Sequence, residues 1–197
     1  MSTSTTDVAA TATRRLSSPD AFFGCFAEAW KKASEIVRKV ETRQDYREPG
    51  NPSWERLAAG DFDDAVRTVP DARAADVPLY ESLRQRGVHF VRCRPVGDPI
   101  SLYLRWEIAC YDFNAAHGEE ILFAPLALAA PLLRDRIHHD FMVFDQNVAF
   151  IHDYDSTGEI RGGWMVTNKD DIAALIEMFE ELEGLCVPYS EFLGRPR

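Results

Sequence analysis

Arg92, Arg94, Tyr103, Arg105 and Glu107 bring three guanidinium groups, a phenol and a carboxylate into one short stretch of chain. Arg92 and Arg94 are two residues apart, as are Tyr103, Arg105 and Glu107, and side chains two apart on a strand share a face. If Val88 to Arg94 and Ile100 to Tyr111 are strands paired antiparallel, the five form one polar row. Its guanidinium forks could grip an anion through pairs of parallel hydrogen bonds. A cross-strand ladder of ion pairs on a half-covered sheet would use the same residues without any ligand.

A second group, His138, His139, Asp140, His152, Asp153 and Asp155, has the residue types of a divalent-metal site. The spacing argues against one. His138 and His139 are adjacent, so in extended chain only one of them can join His152. That leaves His139, His152 and Asp155 as weak metal candidates, and no metal or cofactor is expected. Asp153-x-Asp155-x-x-Gly158 also resembles the opening of a calcium loop, but Trp164 stands where the closing Glu should be, so a hairpin turn explains it better. An acid–base site would use His152 as base with Glu107 or Asp145 orienting it. A cysteine nucleophile would need His152 or His89 beside a thiol, and the cysteines sit in apolar contexts that suppress thiolate formation. The chain has no Gly-x-Ser-x-Gly elbow, no Gly-x-Gly-x-x-Gly and no Gly-x-x-x-x-Gly-Lys loop.

The elements that must position these groups centre on Asp140 to Val166. There Phe141 to Asp145, Val148 to Tyr154 and Glu159 to Val166 alternate with the turn clusters Asp-Gln-Asn and Asp-Ser-Thr-Gly, which reads as a three-stranded meander. Gly162-Gly163 inside its last strand implies a bulge or a close backbone approach. Ser18-Pro19-Asp20 opens a helix running to about Ser34. Ile36 to Tyr46 alternates as a half-exposed strand or else extends that helix. Short helices follow over Trp54 to Ala59, Asp61 to Asp76 and Pro78 to Arg86. The run Ile121 to Leu133 begins as strand and continues as a helix over Leu126 to Arg136. Asn168, Asp170 and Asp171 start a helix that carries Ile172, Leu175, Ile176, Phe179 and Leu182 inward and ends at Gly184. Its outer face bears Glu177, Glu180, Glu181 and Glu183. Trp30, Trp106 and Trp164 belong to the core, and Trp54 to the surface. These elements predict an α+β fold. It has one domain over residues 18–197, with a mainly antiparallel twisted sheet of about five or six strands and the N- and C-terminal helices packed on one face.

The 197 residues, 46% of them apolar, suffice for one core of ordinary size. Residues 1–17 are mostly Ser, Thr and Ala and are expected to form a disordered tail. Twenty-two basic against 32 acidic residues leave a formal charge of −10, which repels nucleic acid and anionic membranes. The four cysteines are scattered without a Cys-x-x-Cys pair, as in a reducing compartment. No apolar run is long enough to span a bilayer and no signal segment opens the chain, so a cytoplasmic location is expected.

Several short motifs, each weak alone, occur together in one order: Val40-Glu41-Thr42-Arg43-x-x-Tyr46, Val91-x-Cys93-x-Pro95-Val96, Tyr103-Leu-Arg105-Trp-Glu107, Gly118-Glu119-x-Ile121, Asp140-Phe-Met-Val-Phe-Asp145 and His152-x-x-Asp155-x-x-Gly158. In these the chain resembles, from Phe22 to Phe192, an actinobacterial family known as domain of unknown function 6879. The family carries no established activity. Its members tend to occur beside helix-turn-helix regulators, which implies a regulatory or accessory role. The expectation is therefore a non-enzymatic cytoplasmic protein that binds a partner, such as a transcriptional regulator, or a small anionic ligand on the face bearing Arg92, Arg94, Tyr103, Arg105 and Glu107. It would make no direct contact with nucleic acid or membrane. The alternative is a small metal-dependent or acid–base enzyme of specialised metabolism built on His152.

Overall fold

A computed structural model describes residues 13–133 and 140–194. In chain order the elements are β1 (Thr13–Leu16), α1 (Pro19–Lys32), β2 (Ile36–Val40), α2 (Pro52–Ala58), α3 (Phe62–Arg73), α4 (Val77–Gln85), β3 (His89–Val96) and α5 (Leu102–Ala116). They continue with β4 (Glu119–Pro125), α6 (Leu126–Leu133), β5 (Phe141–Phe144), β6 (Val148–Tyr154), β7 (Ile160–Val166), α7 (Lys169–Glu183), β8 (Val187–Pro188) and α8 (Tyr189–Gly194). All the strands join one eight-stranded sheet in the order β1-β7-β6-β5-β2-β3-β4-β8. No helix among the described residues is long and apolar enough to cross a membrane.

The meander is present as β5, β6 and β7, antiparallel throughout. The sheet as a whole is mixed, because β2 pairs parallel with β3 and β3 parallel with β4. Parallel neighbours require crossover connections, and here α2, α3 and α4 form the first and α5 the second. The sheet therefore exceeds the expected five or six strands, while five of its seven pairings are antiparallel, in keeping with the expectation of a mainly antiparallel sheet. The stretch Ile100 to Tyr111 supplies no strand and instead forms most of α5.

Both faces of the sheet are covered. On one, α6 and α7 pack Leu133, Leu175, Phe179 and Leu182 against Val91, Cys93, Val143 and Ile151. On the other, α1 sets Phe22 and Trp30 against Phe144, Phe150 and Phe90, while α3 and α5 cover Val96, Ile121 and Phe123. The N- and C-terminal helices therefore lie on opposite faces and not on one. Full burial of a side chain such as Phe22 contributes about 1.5–3 kcal/mol to this docking.

Helix boundaries follow their capping residues. Ser18 Oγ accepts from Ala21 N at the start of α1, and Asn168 Oδ1 accepts from Asp170 and Asp171 N at the start of α7. Thr13–Leu16, expected in an unstructured tail, form the edge strand β1 against β7, and residues 1–12 lie outside the described ones. The second of its two arginines anchors it, since Arg15 pairs with Asp153 at 2.5 Å and stacks over Trp164. Gly162 and Gly163 allow the approach. A Cβ at Gly162, whose φ is +129°, would strike Leu16 O, and one at Gly163 would strike Ile151 O and the Phe22 ring.

Asp145, the last residue of the Asp140-to-Asp145 motif, ties α1 to β2. Its carboxylate accepts from the backbone N–H of Ser34, Glu35 and Ile36 at 2.9–3.0 Å. Burial would raise its pKa, but those hydrogen bonds hold it below the ordinary carboxylate range. Replacement by Ala leaves three N–H groups without their acceptor, and urea denaturation should show a loss of about 2–4 kcal/mol. Because the folded-state pKa is depressed, this stabilisation is present above the unfolded carboxylate value and is lost as pH falls through the folded one. The gap between wild type and Asp145→Ala should accordingly narrow in acid.

Candidate functional site

The covered face of β2 and β3 carries charge where its neighbours carry hydrocarbon. Alternation along β3 turns Phe90, Arg92, Arg94 and Val96 to the side of α1 and α5, and Val91 and Cys93 to the side of α7. The parallel register sets Lys39 beside Arg92 and Val40 beside Cys93. Two cations thus stand as cross-strand neighbours, and Glu41 bridges them: its Oε1 lies 2.7 Å from Lys39 Nζ and its Oε2 lies 2.6 Å from Arg92 Nη1. Burial would raise the Glu41 pKa, but Arg92, Lys39 and Arg94 together hold it well below the usual value. Arg92 Nε meets Glu119 of β4 at 2.5 Å, and Tyr80 of α4 donates to the same carboxylate.

Arg94 is wholly buried. Its Nη2 donates to Glu107 Oε2 at 3.1 Å, its Nε to Tyr111 Oη at 3.0 Å and its Nη1 to Glu41 O at 3.0 Å. Glu107 and Tyr111 are one turn apart on α5, as are Tyr103 and Glu107, so one helix face delivers all three. Tyr103 Oη lies 2.5 Å from Glu48 Oε1 and 3.2 Å from Glu107 Oε1. One hydroxyl proton faces two carboxylates there. Burial, with Glu41 and Glu48 nearby, holds Glu107 above the usual carboxylate pKa against the pull of Arg94.

Asp140 closes the network at the start of β5. Oδ1 accepts from Thr42 N and Oγ1 at 2.7 and 2.8 Å, and Oδ2 accepts from Tyr46 Oη at 2.5 Å. The Asp140 carbonyl accepts from His152 N at 2.9 Å and from His152 Nδ1 at 3.2 Å. A carbonyl can only accept, so Nδ1 carries the proton and Nε2 presents its lone pair. Burial, reinforced by Lys39, lowers the His152 pKa and keeps the ring neutral.

Part of this network lines a cleft of ≈ 310 Å³, with Lys39, Glu41, Arg92, Glu107 and His152 on its floor and walls and Phe23 of α1 at its rim. The cleft lies where the aromatic cluster under α1 gives way to the cluster under α3 and α5. Of the sequence-predicted residues, Arg92, Arg94, Tyr103 and Glu107 come together. The reason differs from the one expected, since Tyr103 and Glu107 reach the sheet from a helix above it. Arg105 does not join them; it is exposed on the outer side of α5. Asp145 lies at the opposite end of β5 holding backbone N–H groups, so it does not orient His152. The residue that does is Asp140, through its carbonyl.

Sequence reasoning missed Glu41, Lys39 and Tyr154 as members and placed Asp140 only in the metal-type group. Glu41 and Asp140 stand in the motifs of the resemblance, and that was the available signal. Asp155 closes the β6–β7 turn, accepting from Thr157 and Glu159 N, and His139 lies outside the described residues. Among the described residues no three His, Cys, Asp or Glu side chains gather as a metal would require. Trp54 is half-buried and donates to Tyr46 O, a correction to its expected surface position. His89 is paired with Glu120 on the surface, and burial pushes the Cys110 thiol up to about 12.

The sequence profile of the family described as domain of unknown function (DUF6879) matches residues 24–194. The chain belongs to this family. The matched DUF6879 region takes in the whole cleft except Phe23. No curated protein matches the chain. Among solved structures, an archaeal chromatin protein, TrmBL2, described as showing a novel mode of DNA binding, is similar at 11% identity and a TM-score of 0.46. The likeness covers 91% of this chain and 55% of that one, so the chain spans about half its length.

Removing one partner from a buried ion pair leaves the other charge stranded. Arg94→Met should therefore cost about 3–5 kcal/mol in chemical denaturation, whereas Arg105→Ala should stay within about 0.5 kcal/mol of wild type. Equal effects of the two substitutions would contradict the placement of α5.

Proposed function

We propose that the protein is a non-enzymatic accessory or regulatory protein that binds a small anionic molecule in the cleft, with occupancy read by a partner protein. One observation carries the reading: Lys39 and Arg92 stand side by side in an open cleft whose lining sets four cationic side chains against three carboxylates, with tyrosines, Phe23 and Ile160 beside them. A cation held in such a setting interacts with an anion more strongly than it would in open water. The formal charge of −10 disfavours nucleic acid as the bound anion. On this reading the protein works in the cytoplasm and a helix-turn-helix regulator is the partner class to test.

A thermal-shift screen with small anionic metabolites tests the proposal. A binder should raise Tm for wild type and for Arg105→Ala, and the rise should be lost in Lys39→Gln. No shift in wild type with any anion would sink it.

The fixed tautomer of His152 favours a second reading, an acid–base enzyme. Nε2 is aimed as a base, and Glu107, with its raised pKa, can hold a proton on another wall of the same cleft. Incubating any binder from the screen with wild type and with His152→Gln, followed by mass spectrometry, separates the readings. Conversion by wild type alone supports the enzyme, and an unchanged ligand in both supports the binding protein.

A further inference from the structure

The hydrogen-bonding capacity left over in the cleft defines a narrower class of ligand. The three lining carboxylates are already occupied by the protein's own donors. Glu41 takes Lys39 and Arg92, Glu48 takes Tyr103 and Asn51, and Glu107 takes Tyr103 and Arg94. On the donor side there is surplus. Arg92 lines the cleft and commits Nε to Glu119 and Nη1 to Glu41, and among the described residues Nη2 has no hydrogen-bond partner. The Lys39 ammonium spends one of its donors on Glu41. The unfilled demand is for an acceptor.

Charge sets how much acceptor. Four lining side chains, Lys39, Arg47, Arg73 and Arg92, are cationic and three, Glu41, Glu48 and Glu107, are carboxylates. The excess is a single positive charge. A dianionic phosphate would exceed that excess, whereas a monoanion matches it. One carboxylate satisfies both the charge and the donor count.

Beside these charges the cleft also offers apolar and flat surface. Phe23 is 48% exposed at the rim although it is a phenylalanine, and Ile160 and the Tyr154 ring face the same space. Tyr154 already stacks with His152 at 6.1 Å and 8°, which presents a planar wall. A volume of ≈ 310 Å³ is at the small end of the range for ligand pockets. We infer that the cleft takes a small aromatic monocarboxylate, its carboxylate on Arg92 and Lys39 and its ring between Phe23 and Tyr154. The inference rests on the anion-binding reading above and narrows it.

Isothermal titration calorimetry on the full chain tests it with phenylacetate, indole-3-acetate, acetate and inorganic phosphate. At least one aromatic acid should bind, with acetate weaker by about tenfold or more because it lacks the ring to bury. Phe23→Ala, a rim change that leaves the buried network intact, should weaken the aromatic acid by about tenfold and leave the melting temperature of the free protein nearly unchanged. Lys39→Gln should weaken it as well. Phosphate or acetate binding as tightly as the aromatic acids, in a manner sensitive to Lys39→Gln, overturns the aromatic class while the anion-binding reading stands. Aromatic acids binding with no loss in Lys39→Gln overturns the seating of the carboxylate. Heat from none of the four overturns the inference, and the wider anion screen then decides the parent reading separately.

Discussion

Two guanidinium groups on one face of a central strand are the constraint to which the rest of the structure answers. Arg92 and Arg94 are almost completely buried on β3, where an unpaired cation would cost several kcal/mol. Each neighbouring element therefore delivers a carboxylate or a phenol: Glu41 directly follows β2, β4 brings Glu119, and α5 brings Glu107 and Tyr111. A one-residue slip of β2 or β4 would turn its carboxylate to the opposite face. The ion network thus specifies the parallel register more sharply than hydrocarbon packing alone would. Its net contribution to stability is a separate matter, since desolvation offsets much of the attraction.

This polar band also separates two apolar clusters on the same face of the sheet. Helix α1 covers the meander side and α3 with α5 cover the β3–β4 side. Charged residues that must keep contact with water or with one another cannot be capped by an apolar helix face, so the two helix groups stop short of one another. The cleft is the consequence. Arg92 and Glu107 both hold the fold together and line the opening, which makes the ladder and the site two aspects of one arrangement.

His152 belongs to this arrangement through Asp140, whose side chain gathers Thr42 and Tyr46 while its carbonyl fixes the imidazole. A single residue at the start of β5 so links the loop after β2 to the base on β6. The wall that carries His152 also carries Tyr154, and the stacking of the two rings sets the flat side of the opening.

Local patterns determined much of this from the sequence alone. The meander, the Ser18 and Asn168 helix starts, the strand around Arg92 and Arg94, and the Gly162-Gly163 approach all rest on interactions between residues close in the chain or on strict period-two alternation. The strand expected over Ile100 to Tyr111 is a helix for a physical reason. The face of α5 that is buried carries Tyr103, Glu107, Tyr111 and Asn114, while Leu102 is exposed, so the apolar residues run around the helix and leave a false alternation. Ser101, whose Oγ caps Leu104 N, was the local signal of a helix start. Sequence also singled out Arg92, Arg94, Tyr103, Glu107 and His152, because charged and titratable groups in apolar surroundings stand out by type. Only the tertiary structure could discard Arg105 and Asp145, add Glu41, Asp140 and Lys39, and place the first and last long helices on opposite faces. Those outcomes depend on which strands become parallel neighbours, and a parallel pairing joins residues about 50 positions apart through a register that neither strand encodes by itself.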